Sequence, residues 1–480
     1  MSLNVSGVQS LPSLAKLPSV DVVMMAAGKG TRMKSSLPKV LQKLAHLPLA
    51  GHVLETVRTL GVREVVVVTG HEAAQVEAAL MPLAGDLALQ FVRQEPQLGT
   101  GHAVQTAAPQ LNDDAMVLVL SGDVPLTRAA TLQALLDLSA GQHLALLTVQ
   151  LPDPTGYGRI VRDGESVCEI VEHKDANASQ RAIQEIYGGI LAAPAARLKQ
   201  WLSRLTNQNA QGEYYLTDVV KFAVADGVKV LAHQSDDPLE VAGVNSPVQL
   251  AELERAYQLG IAQQLMERGV RLKDPARLDV RGSLDCATDV EIDVNCVFEG
   301  HVQLSEGVRI GPNCVLANCS IGPGTVIQAF THIDGDMLGV RVGAGARIGP
   351  FARLRPGAEL GEDVHIGNFV EVKNARLAKG AKANHLAYLG DAIVGERVNF
   401  GAGSITANYD GANKHQTVIE ADVHVGSNCV LVAPVRLGAG STIGGGSTIT
   451  KDTVAGTLNV ARGKQVSVAN WERPVKKAKN

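Results

Sequence analysis

From Val342 onward an apolar residue returns at every sixth position: Val342, Ile348, Leu354, Leu360, Ile366 and Val372, then again Val425, Leu431, Leu437, Ile443 and Ile449. Glycine often follows it, at Gly343, Gly349, Gly361 and Gly367. A period of six fits neither an amphipathic helix nor the alternation of one long strand. It predicts a parallel β-helix of hexapeptide repeats, each repeat one short strand and a bend. The apolar side chain points into a narrow prism, and glycine serves the bend. The pattern places this coil between about Val290 and Val454. Its register slips between Lys379 and Val394 and between Ala407 and Val423. Both breaks are expected to be loops leaving the coil, the places where a rigid scaffold carries chemistry.

The first half is patterned differently. Continuous apolar runs at Val20–Ala26, Glu64–Thr69, Leu87–Val92, Met116–Leu120 and Leu144–Val149 read as buried strands. Leu49–Leu60, Ala103–Ala108 and Arg128–Leu138 read as the helices between them. Strands separated by single helices imply a Rossmann-like α/β domain with a mostly parallel sheet. Ligands on such sheets sit beyond the carboxyl ends of the strands. Asn245-Ser246-Pro247 then opens a helix whose apolar face is Leu250, Leu253, Tyr257, Ile261 and Leu265, ending at Gly269. The domain plan is therefore an extension over 1–19, an α/β domain over 20–247, a helical linker over 248–268 and the coil domain over 269–480.

Length and composition agree with this plan. A chain of 480 residues exceeds one ordinary domain. Hydrophobic content of 45% with 19% charged residues suits a soluble globular protein. A net charge of −4 gives no support to nucleic-acid binding. No apolar run approaches the ~20 residues that span a bilayer, and no membrane insertion is expected. Residues 1–19 have neither the basic start nor the apolar core of a signal peptide, and they read as a flexible extension, as does the lysine-rich tail 475–480. The six cysteines form no CxxC pair and read as reduced thiols of a cytoplasmic protein.

Candidate chemistry sits at the strand ends. The first strand runs into Ala26-Ala27-Gly28-Lys29-Gly30-Thr31-Arg32-Met33, followed by Leu37-Pro38-Lys39. Glycines let backbone N–H groups approach an anion, and Lys29, Arg32 and Lys39 supply charge for a polyphosphate. A short GxG alone is equally a tight turn, and it is neither GxGxxG nor a Walker loop. Gln94 precedes the glycine turn Leu98-Gly99-Thr100-Gly101-His102, and Ser121-Gly122-Asp123 ends the Met116–Leu120 strand. An acidic residue at a strand tip suits magnesium, which prefers oxygen ligands and bridges phosphates; before proline it is also a turn former.

In the coil, Arg353, Arg355 and Lys373 place cations on neighbouring turns, where they suit a phosphate or are ordinary solvated charge. The first break carries Asn384-His385-Leu386-Ala387-Tyr388 and the second Asn408-Tyr409-Asp410-Gly411. A histidine can serve as general base near neutral pH, and an asparagine amide can donate to a tetrahedral oxyanion.

Taken together, MAAGKGTRM, LPKVL, LGTGHA, GDVPL, PTGYGRI, IVEHKDA, GEYYLTD and GVN, then GPFARLRPG, GNFVEVKNA, NHLAYLGD, GAGSITANYDG and LVAPV, with the closing WERPVKK, stand in order from Val20 to Lys477. The chain resembles the bifunctional N-acetylglucosamine-1-phosphate uridyltransferase/glucosamine-1-phosphate N-acetyltransferases over almost its whole length. The resemblance implies a left-handed coil, a homotrimer with acetyl sites between chains, Mg2+, and the substrates UTP, acetyl-CoA, glucosamine 1-phosphate and N-acetylglucosamine 1-phosphate. The product would feed peptidoglycan and lipopolysaccharide precursor synthesis. It further implies that Met25, Ala26, Ala27, Gly28 and Lys39 bind nucleotide phosphates, and that Gln94, Gly99 and Thr100 hold the uracil. Ser121, Gly122, Gly158, Glu172 and Tyr187 would belong to the UDP-sugar site, and Asp123 and Asn245 would hold the metal. In the coil, Arg355 and Lys373 would clamp the substrate phosphate, and Tyr388 and Asn399 would complete the sugar site. His385 would be the base, oriented by Glu371. Asn408 and Tyr409 would sit beside the acetyl group, and Ala402, Ser427, Gly445 and Arg462 would line the coenzyme A channel. Ser121 stands where the family often has tyrosine, and Tyr187-Gly188 where it often has asparagine-threonine.

Three rival readings were open at this level. One is a pyrophosphorylase for another sugar nucleotide with a passive coil. Another is a zinc hydrolyase using His301, His332, His365, His385, His415 or His424, whose spacings form no recognisable ligand set. The third is a non-enzymatic scaffold.

Overall fold

The computed structural model describes residues 18–476. Most of the extension 1–19 and the end of the tail lie outside them. The chain divides into two compact units, between Tyr257 and Gln258.

The first unit is a nine-stranded sheet. Its main path runs Val230–Ser235, Leu144–Gln150, Glu185–Pro194, Met116–Ser121, Val20–Met25, Glu64–Thr69 and Leu89–Arg93. All neighbours on it are parallel except Glu185–Pro194, which opposes both of its partners. A hairpin, Arg159–Asp163 with Ser166–Val171, attaches to that antiparallel strand. Val22 and Met24 enter one apolar cluster and Val23 the other. The strands are thus buried on both faces, and they read as unbroken apolar runs rather than alternations. The ends of Val20–Met25 and Met116–Ser121 lie side by side, with Met25 paired to Ser121. This brings the glycine loop and Asp123 to one rim.

The second unit is the expected parallel coil. Every residue of the six-residue register named above is buried. One ladder of 11 strands runs along one face of the prism, and a second of 16 strands passes from face to face through Val315–Ile321. Two expectations are corrected here. The coil begins at Arg271–Leu272, which pairs with Glu291–Ile292, not near Val290. Its first turns use nine-residue strands, Leu278–Cys286 and Cys296–Leu304, and their inward residues keep the same spacing, Leu278, Leu284, Val290, Cys296 and Val302 being buried at every sixth position. Nor does the stretch 379–394 leave the coil. Its strands pair in order, Ile366 with Ala383 and Leu377 with Val394. The register slips because corners there are one residue shorter. The second break does leave the coil: Phe400 pairs with Val425, 25 residues on, where neighbouring turns need only 17 or 18.

The helix Pro247–Glu267 contributes to both cores. Leu253 and Tyr257 pack with Met33, Leu44, Leu49 and Val244, whereas Ala262 and Leu265 join the interior of the coil.

Candidate active sites

In the first unit a cleft of about 490 Å³ opens beyond the carboxyl ends of the strands. Met25, Ala26, Ala27, Gly28, Lys39, Gln94, Gly99, Thr100, Ser121 and Asp123 all line it. The glycine loop is tied from below: Gly122 N–H donates to Met25 O (2.9 Å), and Gln97 Nε2 donates to Ala27 O (2.8 Å). Gln94 Nε2 donates to Gly99 O (2.9 Å), so two of the three expected base-binding residues are one unit. Gly99 has φ +104°, and a Cβ on it would lie 2.7 Å from Tyr214 O, so only glycine fits this approach.

Lys39 Nζ bonds Asp123 Oδ2 (2.5 Å) and Asn245 Oδ1 (3.1 Å). Val244 N–H donates to Asp123 O (3.0 Å), which brings the Asn245 strap to the strand tip. An ammonium held between these two oxygens shows that the pair attracts a cation. A hard, oxygen-only pair suits a divalent ion that keeps waters and takes substrate phosphate oxygens. Among the described residues no group of three or more His, Cys, Asp or Glu is arranged to hold a metal.

Gly158, Glu172 and Tyr187 form a separate cluster. Tyr187 N–H donates to Gly158 O (2.9 Å), and Thr217 Oγ1 donates to Glu172 Oε1 (3.1 Å). Burial raises the Glu172 carboxyl above its ordinary range against that hydrogen bond, and burial holds the Tyr187 phenol neutral. Gln97, Glu213 and Thr217 were not singled out from the sequence. Glu213 and Thr217 lie within the GEYYLTD run, the one signal that marked them.

In the coil, Arg355 Nη1 bonds Glu371 Oε1 (2.8 Å), and Arg353 lies 3.5 Å from Glu371 Oε2. Glu371 therefore serves the arginines and does not orient His385, as had been expected. The partner of His385 Nδ1 is Asn368 Oδ1 at 2.8 Å, one turn back on the same ladder. This leaves Nε2 as the free ring nitrogen. Lys414, another residue the sequence did not flag, stands beside Lys373; its ammonium, with partial burial, lowers the Lys373 pKa. Arg355, Lys373 and Lys414 thus form one cationic group. Asn408 is buried, and its amide is directed to Asp391 Oδ2. Tyr409 stands exposed with its hydroxyl on Gly411 O (2.6 Å).

Ala402, Ser427 and Gly445 stack on successive turns: Asn428 N–H bonds Ala402 O (2.8 Å) and Gly446 N–H bonds Ser427 O (2.8 Å). Arg462 Nη1 reaches back to Gly445 O (2.7 Å). Asn399 is not gathered with the other sugar-site residues. It lies on the 11-strand face beside Lys382 and His424. Tyr388 lies on the next face, paired with Glu371 and Ile405. Between the two faces runs a corner bearing Phe330, Phe351, Phe369 and Leu386, all exposed. The three rings stack, 4.9 and 5.4 Å between centroids.

A strand-end cleft with a glycine loop and a paired acid, joined to a hexapeptide coil with its own cationic site, defines a transferase with two active centres. Residues 22–186 match the MobA-like NTP transferase domain, and residues 339–374 and 416–451 match the bacterial transferase hexapeptide repeats. The chain is 70% identical to the bifunctional protein GlmU of Polaromonas naphthalenivorans, covering 95% of this chain and 98% of that one. It is 67% identical to GlmU of Acidovorax ebreus (96% and 100%) and 56% identical to GlmU of Herminiimonas arsenicoxydans (95% and 99%). The chain belongs to the GlmU family. It is a bifunctional transferase, a nucleotidyltransferase in its first half and an acyltransferase in its second.

Proposed function

We propose that the two centres work in sequence: the coil acetylates glucosamine 1-phosphate from acetyl-CoA, and the α/β unit transfers uridylyl from UTP to the resulting N-acetylglucosamine 1-phosphate. The carrying observation is that the glycine loop, Gln94–Gly99 and the Asp123–Asn245 pair converge on one cleft.

In the α/β unit the sugar phosphate oxygen attacks the α-phosphorus of UTP, and the bond to pyrophosphate breaks. This chemistry needs alignment and charge neutralisation rather than a covalent nucleophile. The loop Met25–Gly28 and Lys39 bind the phosphates, Gln94, Gly99 and Thr100 the uracil, and Gly158 and Glu172 the sugar. Asp123 and Asn245 hold the divalent ion that nucleotidyltransferases of this kind use; we take it to be Mg2+, which when bound neutralises phosphate charge.

In the coil, Arg355, Lys373 and Lys414 hold the substrate phosphate. His385 Nε2 takes the proton of the attacking amine, its ring fixed through Nδ1 by Asn368. The amine nitrogen bonds the acetyl carbon and the coenzyme A thiolate leaves. Ala402, Ser427, Gly445 and Arg462 flank the coenzyme A path, with Tyr409 near its thioester end.

A homotrimer is supported by the corner geometry. Asn399 and Tyr388 stand on faces that flank one exposed aromatic edge, so a single chain cannot close both on one sugar. If that edge meets its copies about a threefold axis, one chain's Asn399 face confronts the next chain's Tyr388 face. Among the described residues no helix is long and apolar enough to cross a membrane, and every cysteine is a free thiol. Both features suit the cytoplasm, where the nucleotide substrates are.

The test supplies purified protein with glucosamine 1-phosphate, acetyl-CoA, UTP and Mg2+, and follows thiol and pyrophosphate separately. Both are expected, with pyrophosphate dependent on acetyl-CoA. Pyrophosphate only from added N-acetylglucosamine 1-phosphate would reduce the coil to a scaffold.

A further inference from the structure

Lys39 stands where the glycine loop meets the Asp123–Asn245 pair. A Cβ on Gly30 would lie 2.7 Å from Lys39 Cβ, so the loop rests directly on the stem of this side chain, an approach that glycine permits. The ammonium at the far end lies 2.5 Å from Asp123 Oδ2 and 3.1 Å from Asn245 Oδ1. Those are the oxygens that suit a divalent ion. The Lys39 and Asp123 side chains are only 14% and 18% exposed. Charges so far out of water interact strongly and are costly to leave unpaired. Lys39 therefore neutralises Asp123 in this arrangement.

The ammonium takes one carboxylate oxygen and the amide oxygen. A divalent ion on what remains would sit in close contact with like charge. Space for such an ion is nevertheless built in. A Cβ on Gly243 would lie 3.8 Å from Asp123 Oδ2, and its absence leaves that side of the carboxylate open. Lys39 also has a second destination, because it lines the nucleotide cleft together with Met25, Ala26, Ala27 and Gly28. A lysine carries a point charge with three donors on a flexible stem. Its ammonium can pass from the pair to phosphate oxygens held by the loop while the backbone stays in place.

Resting on the uridylyl-transfer reading above, we propose that Lys39 is an internal competitor for the metal: it keeps a divalent ion off Asp123 and Asn245 in the free protein and moves to the phosphates when UTP enters. UTP draws the ammonium away from the pair, and its phosphate oxygens complete the ligand set that Asp123 and Asn245 begin. Ion and nucleotide then raise each other's affinity by one common factor, as linkage requires. The chain thus gathers both positive charges only when polyphosphate is present to neutralise them.

The test is Mn2+ binding to the full chain without nucleotide, read from the electron paramagnetic resonance of free Mn2+. Unmodified protein, Lys39→Met and the double variant Lys39→Met with Asp123→Asn are compared. Lys39→Met is expected to bind Mn2+ about tenfold or more tighter than the unmodified chain, and the double variant to lose that gain. Mn2+ should also raise the melting temperature of Lys39→Met more than that of the unmodified chain. Lys39→Gln should give the same ordering, and it replaces the methionine variant if that one does not fold. In equilibrium dialysis, Mn2+ should raise the affinity for UTP by a larger factor in the unmodified chain than in Lys39→Met. Equal Mn2+ affinity in the unmodified chain and the Lys39 variants would overturn the proposal, as would a gain that survives Asp123→Asn. Pyrophosphate release from UTP and N-acetylglucosamine 1-phosphate by the unmodified chain is measured alongside. Its absence would overturn the uridylyl-transfer reading, whereas the manganese titrations decide the competition by themselves.

Discussion

A carboxyl taken out of water holds its proton more tightly, and Glu172 is such a group. Because its folded pKa is raised, its contribution to stability is present below the unfolded value of about 4.3 and is lost as pH rises through the folded one. Glu172→Gln removes that titration. The unliganded variant should melt above the unmodified chain at pH 7.5, with the gap closing toward pH 4; each kcal/mol is worth about 2–4 °C in a unit of this size. A gap independent of pH would show that Glu172 carries no such burden. Single residues were unevenly legible in the sequence. Gly99, Gln94 and Asp123 announced themselves because glycines and acids at strand ends have few uses. Asn368 and Lys414 did not. Asn368 meets His385 only once a turn is known to take 17 residues, and Lys414 reaches Lys373 only through the excursion that follows Asn408.

At the scale of elements, the corner of Phe330, Phe351, Phe369 and Leu386 stands apart. All four have positive φ, 47° to 59°, a conformation that asparagine, aspartate and glycine tolerate and bulky side chains rarely adopt. The same corner uses Asn313 before them and Gly403 and Asn428 after. Four turns thus hold apolar side chains where local backbone preference and exposure both oppose them. Phe351→Asn relieves the backbone, at roughly 1 kcal/mol, while removing the middle ring. If the corner is the trimer seam, sedimentation of this variant at micromolar concentration should shift toward monomer, and acetyl transfer should fall at least tenfold with uridylyl transfer retained. A stable trimer with full acetyl transfer would place the seam elsewhere. The coil itself was legible from its six-residue period, but its first turns were not. Their inward residues Leu278, Leu284, Val290 and Cys296 keep the six-residue spacing, but none is followed by the glycine that marks the later turns.

At the scale of the whole chain, each unit has its own core and its own site. The two activities should therefore separate. His385→Ala is expected to lower acetyl transfer by about 10²-fold or more and leave uridylyl transfer intact. Asp123→Ala should do the reverse. Loss of both activities in either variant would overturn the two-centre reading. The coil also has a consequence for how such chains change length. Its strands pair with whichever turn lies next, so it counts in laps rather than in residues. Losing one residue inside a strand would turn the interior outward for that stretch. Losing a whole lap, such as residues 309–325, would bring Glu291 beside Val326 in the place of Arg309 and leave every later turn as it was. Lineages carrying this scaffold can therefore lengthen or shorten it lap by lap, while the ring of residues around His385 stays in place.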